Sequence, residues 1–457
     1  MTTDSAVGTA RAGVWRNAGF LSLWSSVAVS SLADNAYFIL LGWFVLRHSG
    51  SAMELGITWT AASIPRLLLM LFGGVLADRI SRRLIIILSV AARALVLAGF
   101  AAWIVANAPT LWSLCTVAVL FGAVDAFFWP ASSSIVPQVV TARQLAAANS
   151  LIQGTQVASM VGGPLLASAL LLLGSFPVLF AVLAGLYAAS SLLLTRLRLA
   201  SVDDCSAESA ATSPPAEPLA AEPLAASGRQ VWRKIAQGVR YSWSIPAIAV
   251  MMAASLFINL LFMGPINIGL PVWVHTMGWA GSTYAHLEAA FGIGAIGGAL
   301  LAGATRAMRG RLRYVGLVGA LMGIAMALLG SVASWVPGLF LMALMGSVVS
   351  FINIPIMTFV QTICDADKLG RVQSLFSLMS IGLVPVSYTL SSFVLQFHLL
   401  SIHELLITCG VLNAAIMASL TFLPVIWRVE EHPVWQASAL PDNGEQQGRD
   451  GRSGGIG

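Results

Sequence analysis

Lysine is nearly missing from this chain: Lys234 and Lys368 are its only two in 457 residues. Neither stands in the Gly-Lys-Ser/Thr context that a phosphate-cradling loop requires, which excludes nucleotide-driven work by this polypeptide. Cysteine is also scarce. Cys115, Cys205, Cys364 and Cys409 are scattered without pairing or metal-ligand spacing, and the histidines at 48, 275, 286, 398 and 403 add no such spacing. No metal, no cofactor and no enzymatic nucleophile motif is therefore expected. Charge is the third shortage, at 9% of residues, while 58% are apolar. Soluble chains keep their apolar share near half, so a water-soluble globule is excluded as well.

What fills the chain instead is a recurrence of apolar runs of membrane-spanning length. A helix crossing a hydrocarbon core about 30 Å thick needs about 20 mostly apolar residues. Twelve such runs are read at 18–46, 53–77, 84–106, 110–137, 146–173, 176–195, 246–275, 283–304, 314–333, 337–363, 372–397 and 402–427. Backbone groups in lipid must satisfy one another, so these runs are helices. The first 16 residues are polar and carry Arg11 and Arg16. The run after them is therefore read as a retained first helix rather than a cleaved signal.

The basic residues set the orientation. With both termini on one side, the even-numbered connections and the two tails hold 21 of the 24 lysines and arginines. The opposite connections hold only Arg47, while Arg66 and Arg93 lie within helices. Cytoplasmic loops carry such an excess, so both termini are expected in the cytoplasm. The net charge of +5 then reports topology, and no nucleic-acid partner is expected.

The pattern breaks once, near the middle. Residues 199–228, rich in Ala, Ser, Pro and Glu with AEPLA repeated, read as a flexible linker. A basic amphipathic stretch with Trp232, Ile235 and Val239 follows it, as expected of a helix lying on the membrane surface. The domain reading is thus an N-terminal six-helix bundle at 1–198, a linker with an interfacial helix at 199–245, a C-terminal bundle at 246–428 and a disordered tail at 429–457. The halves repeat each other. Gly122, Pro130 and Ser150-Leu151 in the first are matched by Gly346, Pro355 and Ser374-Leu375 in the second, with 28 residues from glycine to serine in both. Pro164 and Pro385 follow in turn. Paired six-helix halves imply a binding site at the interface between them.

Residues 74–83, GVLADRISRR, place Asp78, Arg79, Arg82 and Arg83 in a short loop after Gly73-Gly74. This segment resembles the loop 2–3 signature of the major facilitator superfamily. Pro130-Ala131, Pro137, Ala148-Asn149-Ser150-Leu151 and GVRYSWSIPAI extend the likeness, most closely to its bacterial efflux branch of macrolide and siderophore exporters. Three departures stand out, the first being Ser81 where the family often has glycine. Gly163-Pro164 is followed by Ala167-Ser168 rather than paired glycines, and the second-half counterpart of the charged loop lacks its aspartate. The resemblance implies an all-α membrane fold of two pseudo-symmetric six-helix bundles in a bacterial inner membrane. It also implies export by alternating access. Gly74, Asp78, Arg79, Arg82 and Arg83 would then form a conformational latch, and Gly163 and Pro164 an antiporter-like element.

Five ionisable groups lie at membrane depth: Asp34, Arg66, Arg93, Asp125 and Glu288. Each costs roughly 2.5–3.5 kcal/mol there, so each is read as functional. Arginine cannot lose its proton, so Arg66 and Arg93 require acids, with Asp34 and Asp125 the natural partners. Three acids against two arginines leave one acid over, and a carboxyl that gains or loses its arginine would couple protons to conformation. Asn35, Tyr37, Trp129, Asn259, Asn267 and Asn353 are expected to line a substrate cavity. The expected partners are a small hydrophobic or amphipathic substrate, protons and membrane lipids, and the expected state is a monomer. Uptake or lipid transport on the same fold, and a non-transporting sensor, remain as alternatives.

Overall fold

Helix ends follow local chemistry in the computed structural model, which describes residues 14–15, 17–77, 81–141, 144–196, 240–305, 313–364, 366–425 and 427. Asn17 accepts from the backbone N–H of Phe20 at 3.1 Å and opens α1, Ala18–Ser49. Gly50, with φ of 63°, closes it, since a left-handed residue after a helix favours glycine. α2 spans Ala52–Ala77. Ser81 caps α3, Arg82–Ala106, and Thr110 and Ser113 cap each other reciprocally at the start of α4, Leu111–Ile135. α5, Leu145–Leu171, and α6, Phe176–Thr195, complete the first half.

The second half opens with α7, which runs from Pro246 to Thr276 and includes a π-helical turn at Pro265–Gly269. It continues with α8, Gly281–Thr305, α9, Arg313–Ser331, and α10, Trp335–Ile363. The eleventh crossing is broken into α11, Ala366–Gly382, and α12, Val384–Gln396. Pro385 explains the break, because proline disfavours helical geometry in the residue before it and lacks an N–H. A Ser401–Glu404 capping box opens α13, Ile402–Thr421. Eleven crossings are long and apolar enough to span a membrane; α2, which carries Glu54 and Arg66, is the remaining one of the twelve. The expected spans differ from these helices by a few residues at their ends. The basic stretch after the linker lies almost wholly outside the described residues, with helix beginning at 240, and so does the tail.

Helix pairing repeats between the halves. In the first, α1 packs on α5, α2 on α4, and α3 on α6; in the second, α7 packs on α12, α8 on α10, and α9 on α13. The repeated glycines explain part of this. A Cβ on Gly122 would overlap the carbonyl of Ala62 where α4 crosses α2, and one on Gly346 would overlap the carbonyl of Phe291 where α10 crosses α8. Small residues let membrane helices approach this closely. Serines serve α1 and α6 similarly: Ser190 Oγ lies 2.6 Å from Ser26 Oγ and 2.7 Å from Ser30 Oγ.

Two helix pairs make most of the contact between the halves, α5 with α8 and α2 with α12. Hydrogen bonds joining the halves gather at the end of the molecule that carries Arg47. Gln396 Oε1 accepts from Ser51 Oγ at 3.0 Å and from the N–H of Met53 at 3.3 Å. Thr60 pairs with Thr389 at 3.0 Å, and Ser168 with His286 at 3.1 Å. At mid-depth Gly292 of α8 lies directly against the Met160 carbonyl of α5.

Gly122→Val and Gly346→Val should each lower stability by about 1–3 kcal/mol, because backbone stands in the added side chain's place. Gly297→Ala and Gly185→Ala, where a Cβ meets open space, should be neutral or better. Thermal unfolding of the purified variants checks this, and equal losses at all four positions would contradict it.

Candidate functional site

Asp34 on α1, Arg66 on α2, Arg93 on α3 and Asp125 on α4 converge at mid-depth in the first half. Arg93 is wholly buried. One of its terminal nitrogens donates to both Asp34 oxygens, at 2.9 and 3.2 Å, and the other donates to Asp125 Oδ1 at 2.5 Å. Asp125 Oδ2 lies 3.1 Å from Arg66 Nε. Two carboxylates thus balance two guanidiniums in a closed chain, Asp34–Arg93–Asp125–Arg66. Tyr187 on α6 donates to Asp34 Oδ1 at 2.5 Å. The rings of Phe128, Phe121 and Tyr187 stand 4.7, 5.4 and 5.8 Å from the Arg93 guanidinium, a jacket that a buried cation favours.

The chain of charge is uneven. Its inner three members are almost fully enclosed, whereas the Arg66 side chain is 38% exposed. Only the Nε of Arg66 is engaged, which leaves its terminal nitrogens without a partner among the described residues. The link between Asp125 and Arg66 is therefore the one water can reach and compete for.

Glu288, the acid left over, sits half-buried on α8 in the other half. It has no hydrogen-bond or ion-pair partner among the described residues. It lies within electrostatic reach of Tyr284 and of Tyr388 on α12, and Tyr388 is within reach of Arg66 as well. A cavity of about 590 Å³ lies in the second half. Asn259, Asn353, Phe291 and Met357 are among its lining residues, with Met160 contributed by α5.

The sequence model for the Major Facilitator Superfamily matches residues 23–389. The chain belongs to this superfamily. Superfamily members are transporters rather than enzymes, and the eleven long apolar helices among the described residues make this one a multi-pass membrane protein. Solved structures with the same fold include the nucleoside transporter NupG, at TM-score 0.62 and 14% identity over 91% of this chain and 99% of that one. A D-xylose-proton symporter aligns at TM-score 0.61 and 14% identity over 87% and 96%. A bacterial homologue of the human lysosomal transporter Spinster, inward-facing and unoccupied, aligns at 0.62 and 14% over 94% and 97%. Among proteins of curated function, none matches the sequence.

Within this superfamily fold the residues singled out from sequence take different places. Asn259 and Asn353 reach the cavity, but three expected lining residues do not. Tyr37 is 1% exposed and stacks on Phe121 at 3.8 Å, so it extends the aromatic jacket. Asn35 donates to the Ser31 carbonyl at 2.8 Å and packs beside Gly163. Asn267, in the π-helical turn, donates to the Met263 carbonyl at 2.8 Å. Asparagine in a helix often turns its amide N–H back on its own backbone this way. The side chain of Trp129 lies outside the described residues.

Of the expected latch, Asp78, Arg79 and the surroundings of Gly74 also lie outside the described residues. Arg82 and Arg83 make no bridge between the halves among the described residues. They donate to the carbonyls of Ser134, at 2.9 Å, and Thr195, at 2.7 Å. Both acceptors lie at the last turns of α4 and α6, where carbonyls lack helical partners and attract cations. Gly163 and Pro164 are buried where α5 meets α1. Tyr187 and the cavity methionines carried no sequence signal, since a tyrosine or methionine in an apolar helix is ordinary core material.

Removing one partner of a buried pair leaves an unpaired charge, so Arg93→Met should destabilise by about 3–5 kcal/mol. Tyr187→Phe, which removes one donor to Asp34, should cost about 1–2 kcal/mol. Detergent unfolding curves of the two variants give the comparison, and an undisturbed Arg93→Met protein would refute the account.

Proposed function

We propose that the chain is a secondary exporter that couples proton movement to the outward transport of small hydrophobic or amphipathic molecules by alternating access. The observation that carries this reading is the buried Asp34–Arg93–Asp125–Arg66 chain with its one water-accessible link in the first half, together with an apolar cavity in the second. Protonation of Asp125 would weaken its hold on Arg66, while Asp34 stays anchored by Arg93 and Tyr187. Glu288 is the second candidate proton carrier, because it has no arginine to balance it and faces the seam. Outward direction is supported by the likeness of residues 74–83 and of the surroundings of Gly163-Pro164 to the bacterial efflux branch. In that reading Gly74, Asp78, Arg79, Arg82 and Arg83 act at the cytoplasmic side of a monomer in the inner membrane. Both termini and the linker face the cytoplasm.

Uptake symport is the second reading, and the fold shared with a D-xylose-proton symporter favours it. The two readings differ in the direction of flux relative to an imposed proton gradient. In everted vesicles acidified inside, an exporter should accumulate an apolar fluorescent substrate, and collapsing the gradient should release it. Accumulation that needs the opposite gradient would replace export by uptake.

Two substitutions divide the proton roles. Glu288→Gln removes a group with no partner, so stability should move by no more than about 0.5 kcal/mol. The pH dependence of flux should flatten. Asp125→Asn should also flatten it, with a loss of stability because Arg93 and Arg66 lose an acceptor. Flux with unchanged proton dependence in both variants would defeat the coupling scheme.

A further inference from the structure

We infer that the cavity in the second half is a binding site for uncharged, largely apolar molecules that carry one or two hydrogen-bonding groups, and that it rejects ions of either sign. The inference deepens the transport reading above and rests on it for the site's purpose. Its volume of about 590 Å³ falls within the range of small-molecule pockets. None of the described residues that line it is charged. An ion entering would give up its hydration without meeting a countercharge, a large penalty in such surroundings. The acids and arginines stand in the first half or, for Glu288, outside the lining.

Six methionines shape the walls: Met160, Met251, Met263, Met322, Met357 and Met417, drawn from five different helices. Unbranched thioether chains are polarizable and refit themselves to irregular apolar shapes, so the walls select for polarity more than for outline. Polar groups are few and partly committed. Asn259 Nδ2 donates to the Ser255 carbonyl at 2.8 Å, and the hydroxyls of Ser255 and Ser380 pair at 2.9 Å. The side-chain oxygen of Asn259 and the whole amide of Asn353 are left without partners among the described residues. A neutral amide offers a donor and an acceptor, which suits a carbonyl or hydroxyl and gives no preference to a net charge.

Three photoprobes of one shape test this on the intact protein in lipid nanodiscs. Benzophenone is neutral, 4-benzoylbenzoate is an anion, and (4-benzoylbenzyl)trimethylammonium is a cation. Adducts are mapped by peptide mass spectrometry and counted only where excess diphenylmethane protects. Benzophenone should label Met357 and Met417 saturably, at about tenfold or more over either ion. Equal labelling by an ion, or benzophenone adducts confined to lipid-facing residues, would overturn the inference. Asn353→Asp should turn the preference towards the cation, and Ser380→Asp gives the same test if the first variant fails to fold. An unaltered preference in a folded variant would also overturn it. Protected neutral labelling without proton-driven flux would sink the export reading and leave the site standing. Flux without cavity labelling would do the reverse.

Discussion

A guanidinium at the centre of a membrane protein cannot shed its proton, so its surroundings must be built to hold a cation. Arg93 imposes that demand on the whole first half. Four helices besides its own supply the answer: carboxylates from α1 and α4, a phenol from α6, and, through Asp125, a second arginine from α2. The positions of α1, α2, α4 and α6 around α3 are thereby fixed by charge as well as by packing. Removing either carboxylate would leave Arg93 undercompensated where water cannot reach it.

The two halves answer the same architecture with different chemistry. Their helix pairs correspond, and Gly122 and Gly346 seat matching crossings. Yet the first half is organised around ion pairs, whereas the second holds a methionine-lined space with no charged residue among the described ones that line it. Repetition fixed the scaffold, and divergence placed the polar machinery on one side of the seam and the apolar cavity on the other.

Much of this was legible in sequence because lipid removes alternatives. An apolar run of twenty residues has one stable form there, and arginine asymmetry fixes which ends share a side, so spans and pairing of halves could be read directly. The meeting of Asp34, Arg66, Arg93 and Asp125 was legible for a related reason: expensive charges must find each other. Cavity lining was not. Asn35 and Asn267 resemble Asn259 in composition and context, and what separates them is the direction each faces after packing. Tyr37 turned inward because Phe121 offered its ring a flat partner. Arg82 and Arg83 likewise donate to carbonyls of their own half, at Ser134 and Thr195.

The meeting of Gly292 with the Met160 carbonyl has a mechanical consequence. With no side chain between them, α8 and α5 touch backbone to backbone at the middle of the molecule. A contact of that kind resists sliding, since any shift along the axis brings bulkier neighbours into register, but it tolerates a change of angle. The two bundles thus meet here with only a glycine hydrogen between them, and any side chain at 292 would press them apart.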